Sequence, residues 1–181
     1  MRKVFLFCCM LVLLSTSAFA GMLDYQIVEL QRFDATKINR HRLRTDIVIK
    51  DVIAKPMSDI IETSKFAAAD VLKKNKAHAV TVRVYPSEHF IRGGTPLCIT
   101  EYSPDGYGWS GTGSGIWAVQ AAGTMPDAKT VRIAEEWGRL YPKYHKGLDT
   151  DEKGLRKEIA KNLKIPYDDA APAFIFLDKM E

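Results

Sequence analysis

Residues 79–85 read Ala-Val-Thr-Val-Arg-Val-Tyr, and this stretch decides the fold. Its valines alternate with other residues, which is the period of a β-strand with one buried face. We therefore expect a strand here whose Val80, Val82 and Val84 side chains face a core. The segments on either side then determine which sheet this strand joins.

Two segments that precede it also have the composition of strands. Residues 25–33 are rich in β-branched and aromatic side chains, and residues 42–53 alternate between apolar and polar. In the second segment, one face carries Leu43, Thr45, Ile47 and Ile49. The opposite face, which we expect to be solvated, carries Arg42, Arg44, Asp46 and Lys50.

A helix is predicted between these two strands and the strand at 79–85. Apolar residues recur at helical spacing over residues 58–74, and Lys73 and Lys74 suit the negative end of a helix dipole. Ser58 is the expected N-terminal cap, because its hydroxyl can accept a free backbone N–H. Three consecutive alanines at 67–69 predict that this helix lies close to the sheet.

The second half of the chain begins with a predicted hairpin and then becomes helical. Strands are expected at residues 97–102 and 116–121, and the intervening Ser103-Pro104-Asp105-Gly106 has the composition of a turn. Helices are expected at residues 130–141 and 151–164. Pro142 is the predicted end of the first of these helices, and Thr150 or Asp149 is the predicted cap of the second.

The order of predicted elements, ββαβββαα, is typical of an α+β domain. We expect a mainly antiparallel sheet with one helix packed on it, followed by a pair of helices. The predicted organisation is a cleaved leader at 1–20, an α+β domain at 21–123 and a helical extension at 124–181 packed on the same domain. The apolar run at 173–177 fits either a closing strand or a hydrophobic strap.

The first twenty residues have the pattern of a secretory signal peptide. Arg2 and Lys3 precede an apolar run at residues 4–14, and residues 18–20 form an Ala-x-Ala cleavage motif. The apolar run is shorter than the roughly 20 residues that span a bilayer. The sequence therefore predicts cleavage after Ala20, export to the periplasm or the medium, and no transmembrane anchor in the mature chain.

Removal of this leader changes the charge and the cysteine content. The whole chain has 26 basic and 22 acidic residues, and Arg2 and Lys3 are two of the basic ones. The mature chain is thus close to neutral, which gives no argument for nucleic acid or an anionic membrane as a partner. Of three cysteines only Cys98 remains, and its apolar surroundings predict a buried, unreactive thiol.

Several motifs and their spacing resemble a known family. The motifs are Tyr25-x-Ile27-Val28-Glu29, Arg42-x-Arg44 before Ile47-x-Ile49, the strand at 79–85, and Glu101-Tyr102-x-Pro104-Asp105-Gly106 with Trp109 just beyond. This layout resembles DUF4875, a family of small exported bacterial proteins described as a domain of unknown function. The resemblance covers about residues 24–109 and implies export and a ββαββ order, but no catalytic role. The region from Thr124 onward has no recognised counterpart and looks like an addition.

The glycine-rich loop at residues 107–115 is the first candidate binding site. Its hydroxyl groups can form hydrogen bonds, and two aromatic rings can stack on a sugar or a peptide. The candidate residues are Tyr107, Trp109, Ser110 and Ser114. The alternative is a flexible hairpin connection with Trp109 packed in the core.

Three arginines, Arg40, Arg42 and Arg44, form the second candidate site. The alternation of a strand places them on one face, where they could bind a lipid headgroup, a glycan or an acidic protein. The alternative is a solvated face on which the arginines pair with Glu29 or Glu101 across the sheet.

Patterns for catalysis and metal binding are incomplete. The segment 108–112 lacks the second glycine of a nucleophile elbow, although His89 and Asp105 could in principle join Ser110 or Ser114 in a triad. The four histidines are not at ligand spacing, and no nucleotide-binding motif is present. We therefore predict no metal, no cofactor and no catalytic residue.

The sequence thus favours an exported, non-enzymatic binding, accessory or inhibitor module that acts on another envelope or secreted protein. Two alternatives stay open. One is a hydrolase of envelope glycan or peptide built around Ser110, Ser114 and His89. The other is a structural subunit of an envelope assembly that docks through residues 124–181.

Overall fold

The structure, a computed structural model, describes residues 21–113 and 115–180. In chain order the elements are β1 (Tyr25–Arg32), β2 (Arg42–Ile49), α1 (Met57–Asn75), β3 (Ala79–Tyr85), α2 (Phe90–Gly93), β4 (Cys98–Tyr102), β5 (Trp117–Ala122), α3 (Ala128–Tyr144), β6 (His145–Lys146), β7 (Asp149–Thr150), α4 (Glu152–Leu163) and β8 (Leu177–Met180). The predicted leader at 1–20 lies outside the described residues. None of the helices in the described part of the chain has the length and apolarity that crossing a bilayer requires.

Six strands form one sheet in the order β1-β2-β3-β4-β5-β8. The β2–β3 pair is parallel because α1 connects these strands as a crossover, and the other neighbouring pairs in this sheet are antiparallel. The predicted α+β class with a mainly antiparallel sheet is therefore confirmed. The short strands β6 and β7 form a separate hairpin between the last two helices.

Helix α1 covers one face of the sheet and creates the main core. Val80, Val82 and Val84 are completely buried, so the predicted strand at 79–85 is confirmed together with its inward face. Ala67 and Ala68 of α1 are also completely buried, and the helix packs on β3 and β4. The small alanine side chains thus let α1 approach the sheet closely, as the sequence predicted.

Two predicted helix caps are wrong. Pro56, not Ser58, occupies the cap position of α1, because the helix begins one residue before Ser58. Asp151 caps α4, and its carboxylate accepts a backbone N–H from the first helical turn. Thr150 and Asp149, the predicted caps, instead form β7 and are held in the hairpin.

Near the C-terminus, one predicted boundary differs from the structure, and the structure decides between the two interpretations of residues 173–177. Helix α3 continues past Pro142 to Tyr144. Pro142 has no backbone N–H to donate, but the His145 N–H donates to the Tyr141 carbonyl and closes the last turn. The apolar run at 173–177 is mostly not a strand. The closing strand β8 begins only at Leu177, where it pairs with β5.

The C-terminal helices have an apolar cluster of their own. It is built from Leu140, Leu155, Ile159 and Ala170. Helix α3 also packs tightly on the single turn α2 through two glycines. A Cβ atom on Gly138 would lie 1.7 Å from the His89 carbonyl oxygen, and one on Gly93 would lie 1.9 Å from the Ala134 carbonyl oxygen. The two backbones are therefore closer than any side chain would allow.

We expect Gly138→Ala to destabilise the protein by about 2 kcal/mol or more, because the new methyl group overlaps backbone atoms that have no room to move. This loss exceeds the roughly 1 kcal/mol that alanine gains over glycine in a helix. Urea unfolding of the variant measures the difference. Arg132→Ala, an exposed change in the same helix, is the control, and equal stability of the two variants would contradict the close contact.

Candidate functional site

Strand β2 presents two of the three predicted arginines on the sheet face opposite α1, which we call the open face. The strand register places Arg44 in one row with Gln31 of β1, Thr81 of β3 and Glu101 of β4. Arg42 lies one row nearer the start of β2, and both arginines are half-buried. The predicted alternation of β2 is therefore present in the structure.

The open face is less solvated than the alternation predicted. Asp46 is only 1% exposed, because Arg83 of the neighbouring strand β3 covers it and donates from Nε to a carboxylate oxygen at 2.6 Å. Tyr85 lies beside this ion pair, and burial raises the pKa of Tyr85 to about 12. At this end of the open face Asp46 and Arg83 are therefore paired with each other, and neither charge is left to bind a ligand.

The prediction that Arg40 shares one strand face with Arg42 and Arg44 is wrong. Arg40 precedes β2, is 6% exposed, and binds the segment that follows β4. Its Nη1 donates to Asp105 at 2.7 Å, its Nη2 to the Ser103 hydroxyl at 2.6 Å, and its Nε to the Gly108 carbonyl at 2.8 Å. Arg40 is therefore a structural clamp whose hydrogen bonds are already used within the fold.

The glycine-rich loop is ordered by this clamp and by its own hydrogen bonds. The Ser103 hydroxyl accepts the Gly108 N–H at 3.0 Å, and the Tyr107 carbonyl accepts the Gly113 N–H at 3.0 Å. Gly108 has a φ of 62°, a conformation that glycine adopts without the strain of a side chain. The loop thus has a defined conformation in which Tyr107 is exposed by 58%.

The loop places Trp109 beside two arginines of β2 and the residue that follows β1, and we call this group the arginine–aromatic surface. It consists of Phe33, Arg42, Arg44 and Trp109. The Arg42 guanidinium lies 4.9 Å from the centre of the Trp109 ring, and the Arg44 guanidinium lies 4.7 Å from the centre of the Phe33 ring. The two aromatic rings are 6.1 Å apart. Trp109 is half-buried on the open face and not in the core under α1.

Hydrogen bonds to the backbone fix the positions of these groups. Arg42 donates from Nε to the Phe33 carbonyl at 3.0 Å and from Nη1 to the Trp109 carbonyl at 3.3 Å. Arg44 donates to the Gln31 side chain, and the Trp109 N–H donates to the Glu101 carboxylate. Among the ion pairs of the described residues, none includes Arg42 or Arg44. The surface therefore holds two oriented positive charges.

The contacts in the described part of the chain do not bring the possible triad together. The Ser110 hydroxyl is hydrogen-bonded to Thr112 at 2.7 Å, and Ser114 lies outside the described residues. His89 instead lines a cavity of about 440 Å³ between the β1 strand and helices α2 and α3. Within residues 21–113 and 115–180, no group of three His, Cys, Asp or Glu side chains is arranged to hold a metal ion.

Sequence reasoning missed one member of the arginine–aromatic surface and one contact between two histidines that precede β2 and β3. Phe33, which directly follows β1, belongs to the surface. Its place in the predicted strand at 25–33 was a signal, because strand alternation puts it on the same face as Gln31. His41 and His78 are stacked with ring centres 5.4 Å apart, and the His41 N–H donates to Nδ1 of His78 at 2.9 Å. This contact arises because the parallel strands β2 and β3 begin side by side, which no spacing along the chain reveals.

Cys98 is buried between β4 and α1, as the sequence predicted. Its sulfur lies 3.6 Å from both the Ser64 and the Thr100 hydroxyl oxygens. Burial raises the pKa of the Cys98 thiol. The reactive thiolate is therefore disfavoured, which agrees with a packing role for this residue.

We expect Asp105→Asn to lower the free energy of unfolding by about 2 kcal/mol at neutral pH, because it leaves the buried Arg40 charge without its partner. The hydrogen bond from Arg40 holds the pKa of Asp105 below its usual range. Asp105 therefore stabilises the fold above its unfolded pKa of about 3.9, and this stabilisation is lost as the pH falls through the lower folded pKa.

Urea titrations of the wild type and the variant at several pH values measure this effect. The stability difference should be constant between about pH 7 and pH 5 and should shrink below about pH 4. Asp24→Asn, a change of an exposed carboxylate before β1, is the control. A difference that stays constant down to about pH 2 would contradict the assignment of the effect to the Asp105 charge.

Comparison with known proteins shows which family has this architecture. The family model of DUF4875, a domain of unknown function, matches residues 20–175, so the match includes helices α3 and α4, which the sequence had not connected with the family. A crystal structure of a DUF487 family protein from Desulfovibrio piger ATCC 29098 is similar in fold, with a TM-score of 0.65 and 23% identity over 88% of this chain and 96% of that chain. No curated protein matches the sequence. This chain belongs to the DUF4875 family.

Proposed function

We propose that this protein is an exported, non-enzymatic binding module that contacts another envelope or secreted protein through the arginine–aromatic surface. The observation that carries the proposal is the ordered cluster of Arg42, Trp109, Phe33 and Arg44 on the open face. Tryptophan and arginine are enriched at the energetic centres of protein interfaces. Because these side chains are already held in place, less conformational entropy is lost when a partner binds them.

The neighbouring loop extends this surface. Tyr107 is exposed, and Ser110 and Thr112 present hydroxyl groups beside it. The Arg40 clamp holds this loop against the start of β2, so its side chains keep a constant relation to Arg42. A partner can therefore contact the loop and the arginines together without reorganising either.

A purified mature protein with an affinity tag tests this role. We expect it to capture a protein from envelope extract, and we expect Arg42→Gln combined with Arg44→Gln to reduce the capture at least about tenfold, because the oriented charges are lost. The captured protein is then purified and titrated against both forms. Thermal melting of each variant establishes that the fold is retained.

Two control variants separate this proposal from its alternatives. Phe174→Ser combined with Phe176→Ser removes two rings that are exposed by 71% and 77% in the C-terminal region. Loss of the partner in this variant, with retention in the arginine variant, would instead favour docking through residues 124–181. The Ser110→Ala variant tests the hydrolase alternative, and an envelope hydrolase activity that is lost in this variant would overturn the non-enzymatic role.

Export is the second part of the proposal, and it rests on the charged start, the apolar run and the cleavage motif at residues 1–20. We expect the full chain, expressed with a C-terminal tag in a bacterial host, to accumulate outside the cytoplasm with Gly21 as its first residue. Mass spectrometry of the purified protein measures this. Leu11→Arg interrupts the apolar run and should block processing, whereas an intact Met1 in the wild-type product would contradict export by cleavage.

A further inference from the structure

The arginine–aromatic surface has hydrogen-bonding capacity that the fold does not use. Arg42 engages its Nε and Nη1 atoms, and Arg44 engages Nη2. The other Nη atom of each guanidinium donates to no acceptor among the described residues, and the Arg44 Nε is buried without a hydrogen-bond partner. The unused Nη group of each guanidinium carries two N–H donors, so each of the two arginines can still bind an anionic oxygen through this group.

The carboxylates of the same face are already engaged. Asp46 binds Arg83, and Glu101 accepts the Trp109 N–H. Glu29 accepts a hydrogen bond from the Gln31 side chain. Neither Arg42 nor Arg44 is in an ion pair with another described residue, so a bound anion can pair with each of them.

The spacing of the two arginines selects the shape of such a molecule. Residues i and i+2 of a strand lie about 6.6 Å apart on one face. Carboxylates at alternate positions of an extended peptide have the same repeat and also share one face. The unused Nη group of each guanidinium can donate to one carboxylate oxygen, and the neighbouring aromatic rings hold it in a fixed plane that a lysine ammonium does not have.

Two carboxylates of the open face, Glu29 and Glu101, argue against a uniform polyanion, because hydrogen bonds from neutral donors leave their negative charges in place. A chain such as polyphosphate would place negative charge along Glu29 and Glu101 as well as on the arginines. A peptide can place its carboxylates at the two arginines alone and leave neutral side chains elsewhere. Phe33 and Trp109 then offer apolar contact to the remaining parts of the peptide.

We propose that the ligand of this surface is an extended acidic segment of a protein, with two carboxylates separated by one residue that bind Arg42 and Arg44. This inference rests on the proposed function and specifies its partner. It requires no covalent step. The affinity comes from charge-assisted hydrogen bonds and decreases with added salt, because the pair is only half-buried.

Two isomeric synthetic peptides test this inference on the mature protein. Both consist of Ser, Thr and two Glu residues, separated by one residue in the first peptide and by two in the second, which places the carboxylates on opposite faces. Titrations followed by backbone and arginine side-chain NMR signals measure affinity and site. We expect the first peptide to bind about tenfold more tightly and to shift signals of Arg42, Arg44 and Trp109.

Variants assign the binding to the guanidinium groups. Arg44→Gln and Arg42→Gln should each weaken the first peptide about tenfold, and Arg44→Lys should restore only part of the affinity because the charge stays and the planar geometry is lost. Lys73→Gln, an exposed change on α1, should have no effect. If Arg44→Gln does not fold, the lysine variant and the isomer comparison carry the test.

Three results would overturn the inference. They are equal binding of both peptides, binding that Arg42→Gln and Arg44→Gln leave unchanged, and tighter binding of inorganic polyphosphate than of the first peptide. Each of these results is distinct from failure of the proposed function, which is measured by arginine-dependent capture of a protein. Capture without discrimination between the peptides would retain the binding role and reject an acidic extended segment as its target.

Discussion

The ion pair between Arg40 and Asp105 is the contact on which the open face depends. Arg40 precedes β2 and Asp105 follows β4, and β3 lies between these two strands in the sheet. A buried guanidinium destabilises a fold unless its donors are satisfied, and here a carboxylate, a hydroxyl and a carbonyl satisfy them. The clamp thereby orders a glycine-rich segment whose backbone loses much conformational entropy on folding, and it holds Trp109 against Arg42.

The same strand links this surface to the core. Leu43 and Ile47 of β2 are buried beneath α1, while Arg42 and Arg44 alternate with them on the open face. A shift of β2 by one residue would exchange the two sets, so the core packing fixes the register that orients the arginines. The register of β2 in the sheet therefore determines both the packing of the core and the geometry of the arginine–aromatic surface.

Local periodicity explains what the sequence predicted and what it did not. The strand at 79–85 and helix α1 were predictable because each repeats its apolar residues at the period of its own element. The burial of Asp46 was not predictable, because its partner Arg83 is brought beside it only by the parallel pairing of β2 and β3. The Arg40 clamp also joins residues that are 65 positions apart, and only the sheet order brings them together.

The glycine contact between α2 and α3 extends this argument to the C-terminal helices. A four-residue helix such as α2 has little stability alone, because a helix nucleus is unfavourable. The approach of Gly93 and Gly138 lets α3 pack directly on its backbone. Helix α2 follows β3 directly, so this contact joins the C-terminal helices to the segment that leaves the middle of the sheet. The family match through residue 175 agrees with a shared fold that includes these helices.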